Sequence, residues 1–407
     1  MYTKTYMYDP CREFSIELLE DGFVKAFEET LHVVNHHPEE LGERQQNLQD
    51  DLVRMQAFVD KLKNLEDLER TGSVKDSFRA RIELADQFRE EKDYHWLAEY
   101  IYKSCCQILE KGKVCEAALE IDVLERLALL EERRNNIDSA LTYMEKAFKE
   151  SQNSSLEEQD PRRRELNQHL IRVYQQLSMK YLEEQTISEI KKPKCVLYAK
   201  KAAKLARLSG ADMKIKATCY ALLGRAAMKF NDTKRALKNF QSYLKLSQKC
   251  NDVYESCIAY YALSETFNSI GDLQSSAEAV LKCQELAKEN NFLVPAVFSS
   301  IRIGQLETAK RNFAEAHNHF EDAFHTFLSS RKHSLQLHNL CSVMCGIGRA
   351  HLDMKKYIAN LQTPDPASHL LNERIVFKED INMGEEQGTK DSLVKRLVEE
   401  ELSTDLN

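Results

Sequence analysis

Residues 220–243 read YALLGRAAMKFNDTKRALKNFQSY, and their spacing decides the fold. Ala236, Phe240 and Tyr243 stand at offsets zero, four and seven, which places three side chains on one stripe of an α-helix. Small residues at such a stripe let a neighbouring helix approach, and a large one fills the gap. Twelve residues upstream of Ala236, Leu223 and Gly224 form a second apolar-and-small cluster. Between the clusters, Asn231-Asp232 supplies residue types that tolerate the left-handed backbone of a helix end. The stretch therefore predicts helix, tight turn, helix.

The same pattern returns along the chain. Ala316, Phe320 and Ala323 repeat it closely; Ala98-Tyr102-Cys105, Ala140-Met144-Ala147, Cys195-Ala199-Ala202 and Ser276-Val280-Cys283 repeat it in weaker form. First-helix clusters precede several copies at Leu127-Ala128, Leu263-Ser264 and Ile303-Gly304, with turn pairs Asn135-Asn136 and Gly271-Asp272. From Cys195 to Ala236, Ser276 and Ala316 the interval stays at about 40 residues. A fixed period of this length marks a stacked array.

Composition agrees. The 407 residues include only 12 Gly and 7 Pro, as befits long helices on short turns. Eleven cysteines are scattered mostly singly, with Cys219, Cys257 and Cys283 among apolar helical positions, which reads as buried thiols in a reducing compartment. Met1 to Glu20 carries Asp9, Arg12, Glu13 and Glu17 without an apolar core, so neither a signal peptide nor a membrane anchor is expected there.

The copies resemble the tetratricopeptide repeat, whose signature places a small residue in the first helix and Ala, aromatic, Ala in the second. Here Tyr220 or Tyr260 occupies the opening aromatic position, and the pitch exceeds the usual 34 residues. The expected fold is all-α: a right-handed superhelical solenoid of tetratricopeptide-like hairpins with about 40-residue pitch. A helical N-terminal cap over 1–74, containing Phe14 to Val34 and Leu48 to Leu68, precedes a solenoid over 75–360. A polar loop at 151–164 is expected to absorb the longer interval between Ala140 and Cys195. Residues 361–407, with Pro364, Pro366, Gly384 and Gly388, read as an acidic, largely flexible tail with one helix near Leu393 to Leu402.

Catalytic chemistry has no constellation. Gly346-Ile347-Gly348 lacks a third glycine and a preceding strand. His333, His338, Cys341 and Cys345 are metal-like in type, yet the cysteines fit small positions of a packed helix equally well. His36-His37 and His317-His319 read as solvent-facing or capping residues, and no His or Asp stands in a helical register with Cys105-Cys106 to lower a thiol pKa. No enzyme activity, cofactor or metal is expected.

Charge is more informative. Glu189 to Cys250 holds sixteen Lys or Arg against three acidic residues, in a chain of net charge −8. Lys200, Lys204 and Arg207, followed by Lys234, Arg235 and Lys238, read as a basic belt suited to an acidic protein partner; solvation of outer helices is the plainer alternative. If first helices line a concave groove, Glu83, Glu90, Asp122, Glu125 and Glu132 make one end acidic, and Arg225 and Lys229 make the other basic. A peptide-carboxylate clamp is not expected, because the matching positions hold Gln87, Leu129, Glu184, Glu265 and Gln305. Nucleic acid is not expected either, given the absence of aromatic interleaving and a sequence pI near 5.9.

Two further segments, Leu18-Leu19-Glu20-Asp21-Gly22-Phe23-Val24-Lys25-Ala26-Phe27 and Gly346-Ile347-Gly348-Arg349-Ala350-His351 with Tyr357-Ile358, resemble a family of axonemal and flagellar tetratricopeptide repeat proteins. The resemblance extends through most of residues 14 to 375. It implies a role in assembly and beating of motile cilia and sperm flagella. Implied partners are inner-arm dynein-associated subunits, axonemal microtubule components or flagellar transport proteins, and the implied location is cytoplasm, cytoskeleton and axoneme. Without the resemblance, the residues also allow a cytosolic adaptor linking motors or receptors to cargo or cortex.

Overall fold

The computed structural model describes residues 10–35, 48–72, 74–110, 117–154, 160–183, 191–329 and 334–361. They are helical, with no strand among them, and the chain divides into two compact units, Met1–Asn251 and Asp252–Asn407. The first contains α1 (Pro10–Glu20), α2 (Val24–Val34), α3 (Leu52–Arg70), α4 (Val74–Arg89), α5 (His95–Glu110), α6 (Ala117–Arg133) and α7 (Ile137–Asn153). It continues with α8 (Pro161–Glu183), α9 (Lys191–Leu208), α10 (Met213–Lys229) and α11 (Thr233–Lys249). The second contains α12 (Val253–Ile270), α13 (Leu273–Glu289), α14 (Leu293–Ala309), α15 (Phe313–Leu328) and α16 (Leu335–Leu361).

From α4 onward, consecutive helices pair as six hairpins: α4/α5, α6/α7, α8/α9 and α10/α11 in the first unit, α12/α13 and α14/α15 in the second. Every member of the six second-helix triplets is buried, from Ala98, Tyr102 and Cys105 to Ala316, Phe320 and Ala323. The reason for the small first-helix residue is geometric. A Cβ added to Gly224 would lie 2.5 Å from a ring carbon of Phe240, and one added to Gly304 would lie 2.5 Å from the same carbon of Phe320. Where the large residue is only Val280, the first helix carries Ser264, whose hydroxyl meets that of Ser276 at 2.9 Å. The interlock is thus a matched small-large pair rather than one fixed residue.

The turns follow from the same sequence logic. Asn135, Asn231 and Gly271 have φ of 62°, 59° and 88°, and the next residue's N–H closes back on the helix, as Asp232 N does on the Ala227 carbonyl at 2.9 Å. Asp232 and Asp272 then cap the second helices, accepting from Arg235 N at 3.2 Å and Ser275 N at 3.0 Å. In α14/α15 the left-handed position is held by Arg311, with φ 66°, a residue type that gives no such signal in sequence.

Around α1–α3, Leu18, Ala26, Met55, Phe58 and Leu62 share a core with Phe78 and Ile82 of α4. Polar contacts reinforce it: Glu66 accepts from Ala26 N at 3.0 Å, and buried Arg81 pairs with Glu29 at 2.8 Å.

Of the expected polar loop at 151–164, residues 155–159 lie outside the described residues. Residues to Asn153 finish α7 and Pro161 already opens α8, so helix occupies both ends of that stretch. Part of the added spacing lies in α8, which has 23 residues against 17 in α6 and α10, and in the separation of Glu183 from Lys191. His36-His37, Glu184, His333 and the expected tail beyond Leu361 lie outside the described residues.

Candidate protein-binding surface

The carboxylates expected to line an acidic groove sit on the first helices, but most face a basic group of the chain itself. Arg126 of α6 reaches Asp86 of α4 and holds Asp122 at 3.1 Å, while Tyr102 donates to Asp86 at 2.6 Å. Arg133 pairs with Glu90 at 3.0 Å and, with Arg89, holds that carboxyl below its ordinary pKa. Glu83 remains exposed.

Glu125 and Glu132 converge on one imidazole. His169 of α8 is buried, with Nδ1 at 3.0 Å from Glu125 and Nε2 at 3.0 Å from Glu132. Two carboxylate acceptors call for two ring N–H donors, which only the imidazolium supplies. Burial disfavours that charge, but the hydrogen bonds to Glu125 and Glu132 outweigh it and raise the His169 pKa. Beside it a cleft of about 420 Å³, lined by Leu129 of α6, Glu165, Arg172 and Gln175 of α8 and Ile215 of α10, opens between the first helices.

The sequence reading missed these pairings. Asp86 and Arg126 are 40 residues apart and Glu125 and His169 are 44 apart. That separation is close to one repeat, so the period itself held the signal.

The basic residues are arranged differently. Lys200, Lys204, Arg207, Arg225, Lys229, Lys234, Arg235 and Lys238 are all exposed. Among them Arg235 pairs with its own cap Asp232 at 3.2 Å; the side chains of the others form no hydrogen bond or ion pair with described residues. Lys201, between them, is taken up by Glu145 at 2.8 Å and lies over the Tyr174 and Tyr198 rings. The structure thus leaves the basic half of the predicted charge division open and internally neutralises most of the acidic half.

The remaining candidates are packing features. Gly348 lies within α16, where an added Cβ would meet Phe320 at 2.8 Å. His338 lies against Phe324 and Phe327, Cys341 is buried, and Cys345 donates to the Phe320 carbonyl at 3.2 Å. Burial pushes both thiols up to about 11 and that of Cys105 up to about 12, away from the thiolate that chemistry needs. Among the described residues no group of three or more His, Cys, Asp or Glu is placed to hold a metal ion, and no helix is long and apolar enough to cross a membrane.

Interlocked helical hairpins with small-large packing between their helices define a tetratricopeptide-like helical repeat fold. The chain is similar to Tetratricopeptide repeat protein 29 of Macaca fascicularis, with 24% identity over 388 residues that cover 93% of this chain and 78% of the relative. The human protein of that name gives the same figures. Among solved structures, the apo form of RapI covers 93% of this chain and 90% of its own at 14% identity, with a TM-score of 0.49. No protein-family model matches the chain.

Proposed function

We propose that this chain is a non-catalytic scaffold of the ciliary and flagellar axoneme that links inner-arm dynein-associated subunits, axonemal microtubule components or flagellar transport proteins. In this role it supports flagellum assembly and beating. Exposed basic groups on α9, α10 and α11 with no counterion among the described residues carry the reading. An acidic protein surface is the partner such a face attracts, and several modest contacts sum along it. The similarity to Tetratricopeptide repeat protein 29 supports the axonemal setting through the family resemblance of the two segments quoted above. Cytoplasm and cytoskeleton, with the axoneme as the working site, are the corresponding location.

Crosslinking mass spectrometry in flagella tests this. Crosslinks to axonemal proteins from the α9–α11 face are expected, and they are expected to disappear in Arg225→Glu/Lys229→Glu together with Lys200→Glu/Lys204→Glu. Extraction from axonemes should also become easier as salt is raised. Unchanged crosslinks in the reversed chain would refute the basic face as the attachment. A protein found away from cilia in broadly distributed tissues would return the cytosolic adaptor.

A further inference from the structure

We propose that the basic face extends along the second helices onto α7 and takes a flexible, glutamate-rich segment of its partner, an inference that rests on the attachment proposed above. The starting point is register. In the second helices of three consecutive hairpins, α7, α9 and α11, the buried triplets begin at Ala140, Cys195 and Ala236, and nine residues further on stand Lys149, Lys204 and Lys245. All three are exposed. A repeat array sets equivalent residues of successive hairpins side by side. The three lysines therefore form one row that crosses the helices instead of following one of them.

The row belongs to a broader lysine surface. Offsets two, six, nine and thirteen from the start of each triplet fall on one helical stripe. They hold Lys146 and Lys149 on α7, Lys201 and Lys204 on α9, and Lys238, Lys245 and Lys249 on α11, and no acidic residue. Lys201 is taken up by Glu145; the side chains of the others form no hydrogen bond or ion pair with described residues. In α5 the position equivalent to Lys149 is Gln107, so the row ends at α7.

Charge without shape decides what fits. A folded partner needs an apolar centre that packs closely and excludes water. On these stripes the large apolar residues are Leu197 and Leu208, 49% and 75% exposed. They stand about 16 Å apart along one helix and form no such centre. Ammonium groups on flexible stems instead follow carboxylates that are themselves mobile, and a glutamate-rich segment supplies several of them to one row. Single-stranded nucleic acid is held by stacking as well as by charge, and none of the stripe positions is aromatic.

Fluorescence anisotropy of labelled polyglutamate, titrated with the full chain at low salt, tests the proposal. Lys146→Glu/Lys149→Glu is expected to weaken association about tenfold. Lys146→Gln/Lys149→Gln removes the charge without reversing it and should weaken association less, and thermal unfolding of both variants should match the parent. Loss of binding in Arg225→Glu/Lys229→Glu but in neither α7 variant would overturn the extension onto α7 and leave the attachment on α9–α11 standing. No loss in any of the three would overturn both. A parent that binds no polyglutamate would overturn the flexible segment and leave the face to a folded acidic surface. Tighter binding of polyuridylate than of polyglutamate would overturn it in favour of nucleic acid.

Discussion

Two neighbouring stretches of the first unit solve the same stacking problem with opposite electrostatics. In α4, α6 and α8, first helices are tied across repeats by Arg126 to Asp86, Arg133 to Glu90, and His169 between Glu125 and Glu132. In α10 and α11, Gly224 against Phe240 does the work sterically, and the exposed side chains of Arg225, Lys229, Lys234 and Lys238 have no partner among the described residues. The difference teaches that charge on a repeat surface has two uses. A carboxylate with a cation one repeat away is structural; a cation with none is available to another molecule.

The steric half breaks hardest. Phe240→Ala removes a buried ring from a slot that Gly224 cannot fill, so a loss of about 4 kcal/mol is expected in urea unfolding. Gly224→Ala tests the same slot from the other side. Its Cβ would overlap the ring, and because Phe240 is itself buried the strain is expected to cost about 1–3 kcal/mol. Equal stability of parent and Gly224→Ala would show that the interlock is loose.

The polar half comes next. His169→Ala leaves Glu125 without its cation and Glu132 with only Arg172 at 4.0 Å, and about 3 kcal/mol is expected to be lost. Replacing the clamp by His169→Gln keeps a donor and should recover part of it, as judged by denaturation midpoints of the two variants side by side.

A smaller effect follows from acidity. The folded His169 pKa is raised, so its stabilisation is fully present below the unfolded imidazole pKa and declines as pH rises through the folded value. The groups that set it are Glu125 and Glu132 from α6, with Arg172 from its own helix opposing the charge. The stability gap between parent and His169→Gln is therefore expected to narrow as pH is taken from mildly acidic to mildly alkaline. A gap that widened instead would mean that folding lowers the His169 pKa and holds the ring neutral in the clamp.

Much of the architecture was legible because hairpin packing is local. Triplets at zero, four and seven are all buried, and Asn135, Asn231 and Gly271 take the left-handed turns. Legibility failed where a residue's role is set by something distant or by backbone alone. Arg311 adopts φ 66° because the hairpin geometry requires that conformation whatever side chain is present. Asp122, Glu125 and Glu132 read as groove-lining acids because their cations lie on other turns and other helices. The long interval before Cys195 reads as loop, since helix and loop extend a period equally in sequence, and α8 holds part of it as helix.

The smallest expected effect on stability is the most informative about function. Arg225→Glu/Lys229→Glu changes two exposed α10 residues that form no ion pair with described residues, so unfolding free energy should move by no more than about 0.5 kcal/mol. The sign should favour stability, because the segment from Glu189 to Cys250 carries sixteen basic and three acidic residues and reversal relieves like-charge repulsion. Binding should respond the other way. Association with an acidic polypeptide, read by titration at low and at physiological salt, should weaken at least tenfold at low salt and lose most of its salt dependence. A destabilised variant would place Arg225 and Lys229 with the structural charges of α4–α8, and the division between the two stretches would collapse.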